Sequence, residues 1–283
     1  MQSTGPSPLA PRFGTSPFSR HQELPGRVDL WLAGTASLHD PVSLRACRGL
    51  LSPRELESCC AFRREADQRR ALLARGLLRE TLSRYVPVPP SAWEFAAGTH
   101  GRPEIASPAG SRLRFNLSHT GSLVACALTL NDEIGVDLED VRRNWDVLEL
   151  AERVFTPAES ADLRGLAPAA RQRRFFELWT LKEAYLKARG LGFTLDPRCA
   201  SFDLEQPGRV RARFAPETER QPADWWFALL DIQPDHVLAL ASRNGGRPAR
   251  VRVFRASPGD SPGAWPKASL YAASWSTSTP RLR

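Results

Sequence analysis

Apolar and polar positions alternate over Arg27-Val28-Asp29-Leu30-Trp31-Leu32, which predicts a strand. The residues before it, 1–24, hold Pro6, Pro8, Pro11 and Pro17 among Ser and Gly and read as a disordered leader. Ser52 then stands as an N-cap before Pro53, with Glu55 in the first turn, and a helical pattern runs to Arg84 before stopping ahead of Pro87. Trp93-Glu94-Phe95 and Arg102-Pro103-Glu104-Ile105, separated by Gly98 to Gly101, predict a hairpin or loop pair. Arg112 to His119 predicts a strand ending in polar residues. Thr120-Gly121 turns the chain into Ser122 to Leu128, a fully buried strand, and Glu133 to Glu139 forms the next strand.

The order of these signals then repeats. Val28-Asp29-Leu30-Trp31 is echoed by Val136-Asp137-Leu138-Glu139, and Leu51-Ser52-Pro53-Arg54-Glu55 by Phe155-Thr156-Pro157-Ala158-Glu159. A long helix follows each, the second over Phe175 to Ala188 with no Gly or Pro before Gly190. Trp93-Glu94-Phe95 matches Ser201-Phe202-Asp203, and buried strands close each half at Leu123 to Leu128 and Val237 to Ala241. An offset of about 105 residues fits a duplicated unit better than a short-period solenoid. The expected fold class is α+β, a pseudo-twofold duplication of two similar α/β lobes with the active site between them. The expected boundaries are an N-terminal lobe over 25–132, a C-terminal lobe over 133–255 that ends in an edge strand at Ala249 to Phe254, and a flexible tail over 256–283.

Composition changes this picture little. Of 283 residues, 42% are hydrophobic and 25% charged, the ordinary globular range. The net charge of +8 invites a nucleic-acid partner, but residues 243–283 hold seven Arg and one Lys against Asp260 alone. The rest of the chain is close to neutral, so nucleic acid is an unlikely partner for the body. Five cysteines, Cys47, Cys59, Cys60, Cys126 and Cys199, show no metal-like spacing and read as free thiols. No apolar leader and no membrane-length run is present, so a cytoplasmic, monomeric protein without a membrane partner is expected.

The candidate chemistry centres on acids. On a strand, Asp137 and Glu139 project from one face while Val136 and Leu138 project from the other. Trp179, Glu183 and Lys187 stack in one column of a helix. This column is expected to face the cleft, with Leu178, Leu181 and Tyr185 packing elsewhere. Three carboxylates near arginines suit a magnesium–phosphate site better than a calcium cage. Ser118 and His119 at a strand end can both donate to phosphate. The basic face of Arg69 to Arg79 is either a solvated surface or an anion-binding one. No phosphate-loop motif, dinucleotide motif or Ser-His-Asp order is present.

Phe115-Asn116-Leu117-Ser118-His119, Gly135-Val136-Asp137-Leu138-Glu139 and Trp179-Thr180-Leu181-Lys182-Glu183-Ala184-Tyr185-Leu186-Lys187 resemble, in order and spacing, the signatures of the large two-lobed 4′-phosphopantetheinyl transferases. Gly101-Arg102-Pro103 is similar to that family's Gly-Lys-Pro. The resemblance implies transfer of phosphopantetheine from coenzyme A to a serine of an apo acyl, peptidyl or polyketide carrier protein, with release of 3′,5′-ADP. It implies Mg²⁺ on Asp137, Glu139 and Glu183. Asn116, Ser118, His119 and Lys187 would hold coenzyme A phosphates, and Gly101, Arg102 and His100 would line the nucleotide end. Arg64 and Arg70 are further candidates. Glu183, directly or through bound water, would accept the serine proton, and Lys187 would neutralise the departing phosphate. Glu55 and Ser58 stand where some relatives carry lysines toward the 3′-phosphate, leaving Arg54 or the helix arginines as replacements. The competing expectation is a coenzyme A or carrier-binding module without catalysis.

Overall fold

The computed structural model of the protein describes residues 24–98, 101–191, 194–233, 235–256, 263–264 and 269–273. The expected leader up to residue 23, and His100, lie outside them. Leu24 is already fully buried in the first core.

The chain begins with strand β1 (Arg27–Gly34), helices α1 (Pro41–Gly49), α2 (Pro53–Cys60) and α3 (Glu65–Ser83), and hairpin β2 (Glu94–Ala97) to β3 (Pro103–Ser107). Strands β4 (Leu113–Thr120) and β5 (Leu123–Leu130) follow. The same order then recurs: β6 (Glu133–Asp140), helices α4 (Val147–Val154), α5 (Pro157–Gly165) and α6 (Pro168–Arg189), hairpin β7 (Ala200–Asp203) to β8 (Arg211–Phe214), and β9 (Trp225–Gln233) and β10 (His236–Arg243). Three further strands are β11 (Arg250–Arg255), β12 (Gly263–Ala264) and β13 (Ser269–Ala273). The sheets order as β12-β11-β1-β5-β4 and β13-β9-β10-β6. Each thus contains one antiparallel triplet of the same connectivity, β1-β5-β4 and β6-β10-β9.

Local chemistry explains why the halves match. Ser52 and Thr156 each form a capping box with the glutamate three residues on, Glu55 and Glu159. Each glutamate also holds a buried cation on the long helix of its half. Glu55 pairs with Arg79 at 2.7 Å, and Glu159 with Lys182 at 2.9 Å. Arg79 donates onward to the Pro90 carbonyl, and Lys182 to those of Pro197 and Ala200. A buried charge needs this complete set of partners.

Strand alternation divides the apolar residues into three cores. Trp31, Leu73, Leu77 and Phe115 pack beneath the first helices, and Phe175, Leu181, Tyr185 and Phe227 beneath the second set. The third joins the sheets, with Leu30, Leu32 and Ala125 against Val136, Leu138, Leu230 and Leu240. The two halves therefore share one continuous apolar contact.

The C-terminal boundaries differ from expectation. Rather than ending the second lobe, β11 joins the first sheet, parallel to β1. Val251 and Val253 point into the inter-sheet core, while Phe254 stacks on Trp31 at a centroid separation of 4.5 Å. Arg252 donates at 2.7 and 2.6 Å to the two oxygens of Asp29, a fully buried carboxylate that also accepts from Tyr85 at 2.5 Å. The expected flexible tail contributes β12 on β11 and β13 on β9. The edge of β9 is lined by buried residues, and strand pairing satisfies backbone groups that would otherwise lie open there. Among the described residues no helix is long and apolar enough to cross a membrane.

Replacing Arg252 with Ala should strand the Asp29 carboxylate in the core. We expect a loss of about 3–5 kcal/mol, measured by urea unfolding.

Candidate active site

Strands β4 and β6 are the facing edges of the two sheets, and no ladder joins them. Side chains of β4 bridge the gap. Asn116 Oδ1 accepts from the Val136 amide at 3.0 Å, and Ser118 Oγ accepts from the Leu138 amide at 3.2 Å. These bonds hold β6 in register, so that Asp137 and Glu139 emerge beside Ser118 and Thr120.

Helix α6 lies directly on the same face of β6. Gly135 permits this: a Cβ there would stand 1.9 Å from the Ala184 carbonyl oxygen and 2.6 Å from the Ala188 nitrogen. Leu178, Leu181 and Tyr185 are buried, while Trp179, Glu183 and Lys187 stay half-buried along one side, as the four-residue spacing predicts. Lys187 Nζ donates to Asp137 Oδ1 at 2.6 Å and to Ser118 Oγ at 3.0 Å. Ser118 Oγ donates to the same Asp137 oxygen at 3.0 Å. The other oxygen, Asp137 Oδ2, is buried with no hydrogen-bond partner.

Glu139 Oε2 accepts from Thr120 at 3.2 Å and pairs with Arg143 at 2.9 Å, whose guanidinium stacks over Trp145 at 4.8 Å. Burial, reinforced by the Asp137 charge, pushes Glu139 up to about 7. The same two causes raise Glu183. Burial and the nearby Arg70 hold His119, at the end of β4, below the ordinary imidazole range, so its ring is neutral at pH 7.

Two acids raised by burial and by the Asp137 charge, beside an Asp137 with a stranded oxygen, form a donor set that fits a hard divalent cation. Among the described residues no three acids, histidines or cysteines close on one point as a preformed cage.

The structure separates the other sequence candidates. Arg70 reaches the site, donating to the Gly121 carbonyl at 2.9 Å and pairing with Asp67. Arg54 and Arg64 are exposed, Arg64 at the N-cap of α3, and no contact among the described residues joins them to the acids. Glu55 is committed to Arg79, and Ser58 accepts from Arg75 at 3.3 Å. Asn116 is turned into the seam. Gly101 sits at a turn with φ +80°, and the Arg102 side chain runs from it into backbone carbonyls rather than toward the acids. Sequence reasoning quoted Gly135 and Thr120 only within motifs, without a role for either, and missed Arg143. The close approach of Gly135 has no local signature, and Arg143 was legible only as a cation four residues after Glu139.

Because Glu139 is raised from its ordinary 4.5 to about 7, ionising it costs the metal-free fold. Its contribution is intact below pH 4.5 and is lost as pH rises through 7. Glu139→Gln should therefore gain stability relative to the native chain between pH 5 and pH 8, by up to about 3 kcal/mol, read by chemical denaturation. Gly135→Ala should push α6 off β6 and destabilise the fold by about 1–3 kcal/mol in the same measurement.

Comparison with known proteins gives this geometry a family. Residues 133–241 match the model of the 4′-phosphopantetheinyl transferase superfamily, and residues 41–131 match a 4′-phosphopantetheinyl transferase N-terminal model. The chain is 39% identical to the 4′-phosphopantetheinyl transferase HetI of Nostoc sp. over 75% of this chain and 85% of that protein. It is 33% identical to the 4′-phosphopantetheinyl transferase Sfp of Bacillus subtilis over 72% of this chain and 87% of that one. The matches span both halves and contain all three carboxylates, and the chain belongs to the 4′-phosphopantetheinyl transferase superfamily of enzymes.

Proposed function

We propose that the protein transfers the 4′-phosphopantetheine group of coenzyme A to a serine of an apo carrier protein and releases 3′,5′-ADP. We read the two halves as pseudo-twofold related lobes, supported by their matching strand order and paired capping-box glutamates. The observation that carries the functional reading is the stranded Asp137 oxygen beside two carboxylates that burial has made reluctant to ionise.

Asp137, Glu139 and Glu183 would hold Mg²⁺, which when bound supplies positive charge to the coenzyme A pyrophosphate. Lys187 contributes an ammonium that shares Asp137 with Ser118 and can turn to a phosphate oxygen as substrate arrives. Ser118 and His119 supply a hydroxyl and a neutral imidazole N–H for the same oxygens. Arg70, anchored through Gly121, adds positive charge beside His119. Glu183 accepts the proton of the attacking serine. Attack at the β-phosphorus forms the serine–phosphorus bond and breaks the pyrophosphate bridge. Most of the barrier is met by positioning and charge.

Incubation with coenzyme A, Mg²⁺ and a panel of apo fatty-acid, peptide and polyketide carrier domains should add one phosphopantetheinyl mass to a carrier serine. Glu183→Gln should lower kcat by on the order of 100-fold or more, and Lys187→Ala by about tenfold or more, with folding retained. Coenzyme A binding without any mass gain, across the whole panel, would instead indicate a non-catalytic binding module.

A further inference from the structure

Arg102 belongs to the short Gly101-Arg102-Pro103 stretch that opens β3, yet its guanidinium serves none of that hairpin. Nη1 donates to the carbonyls of Lys187 at 3.0 Å and Ala188 at 2.9 Å. Nη2 donates to the carbonyls of Phe115 and Ile134, both at 3.0 Å. These four acceptors come from three elements: the last turn of α6, the edge of β4 and the edge of β6.

These acceptors lie at a helix end and at strand edges, where carbonyls have lone pairs to spare. The final carbonyls of a helix have no intrahelical partner, and a cation there also favours the negative end of the helix dipole. Gly190 ends α6 at φ +64° and donates back to Leu186 and Lys187, but not to Ala188. Ile134 lies on the unpaired side of β6, the side whose Val136 and Leu138 amides are met by Asn116 and Ser118. A planar fork with donors on two sides can bridge both sets at once; a single ammonium cannot. The stem of Arg102 also packs against Gly190, where a Cβ would stand 3.5 Å from its Cδ.

We infer that Arg102 is a positioning residue, a clasp that fixes the C-terminal turn of α6 to the β4–β6 seam and so sets where Lys187 and Glu183 stand, and that its guanidinium makes no nucleotide contact. This rests on the transferase reading of the site. It assigns the arginine a role set by backbone geometry, and leaves the charge for phosphate to Lys187 and Arg70, with an uncharged N–H from His119.

The test compares the native chain with Arg102→Lys and Arg102→Ala, using coenzyme A and 3′-dephospho-coenzyme A as alternative substrates. We expect kcat to fall about tenfold or more in both variants while the KM for coenzyme A changes less than about threefold. The native preference for coenzyme A over its dephospho form should persist. Amide exchange over residues 186–191 should quicken in Arg102→Lys, with protection in the core of α3 unchanged. A fall in discrimination between the two substrates, or native kcat and native exchange in Arg102→Lys, overturns the inference. If Arg102→Ala fails to fold, Arg102→Lys carries both readouts. Should the native chain transfer nothing, the transferase reading fails, while the exchange measurement still decides whether the clasp exists.

Discussion

The structure depends on an edge-to-edge contact made without a backbone ladder. Two sheets meet at β4 and β6, and the groups that a neighbouring strand would satisfy are met by Asn116, Ser118 and Arg102. An ordinary ladder would have drawn the strands together and closed the space between them. Side-chain bridging instead joins the sheets and leaves polar groups facing one another across a narrow opening. The acids stand at that opening, helix α6 rests on it through Gly135, and the inter-sheet core of Leu30, Val136 and Leu240 keeps it from slipping.

Two topologically equivalent aspartates show how a saturated carboxylate differs from one left partly unpartnered. Asp29 on β1 is fully buried and saturated by Arg252 and Tyr85. Asp137 on β6 has one oxygen occupied by Lys187 and Ser118 and the other left bare. The residue two places further on repeats the contrast. Trp31 fills the first core, whereas Glu139 adds a second charge to the opening. Two strand triplets of the same order thus hold one charged site and one sealed one, and the difference is carried by a few side chains.

Much of this was legible in the sequence because it follows from periodicity and capping. The alternation in Val136-Asp137-Leu138-Glu139 assigned each residue to its face, and the four-residue column Trp179, Glu183, Lys187 gave the orientation of α6. The Ser52 and Thr156 boxes marked equivalent helix starts. What was not legible depends on contacts distant in the chain. Asn116 reads as a polar residue at a strand end, and nothing nearby says that its acceptor will be the Val136 amide. Arg102 reads, by resemblance, as lining the nucleotide end, and its four carbonyls lie 13 to 86 residues away. The tail misleads for a different reason: Pro, Ser and Gly conceal two short strands whose formation is decided by the edges they cover.

The pairing of β1 with β11 also bears on how the chain is made. Synthesis runs from the N-terminus, so β1 leaves the ribosome more than 200 residues before the strand that flanks it, and Asp29 waits as long for Arg252. During that interval the nascent first half presents an open strand edge beside Trp31, and its central carboxylate lacks the Arg252 counter-charge. The first sheet reaches its final form only when nearly the whole chain, including the complete second half, has emerged. Completion of the first sheet thereby follows completion of helix α6, and a chain cut short after β10 carries a β1 edge open to pairing with other chains.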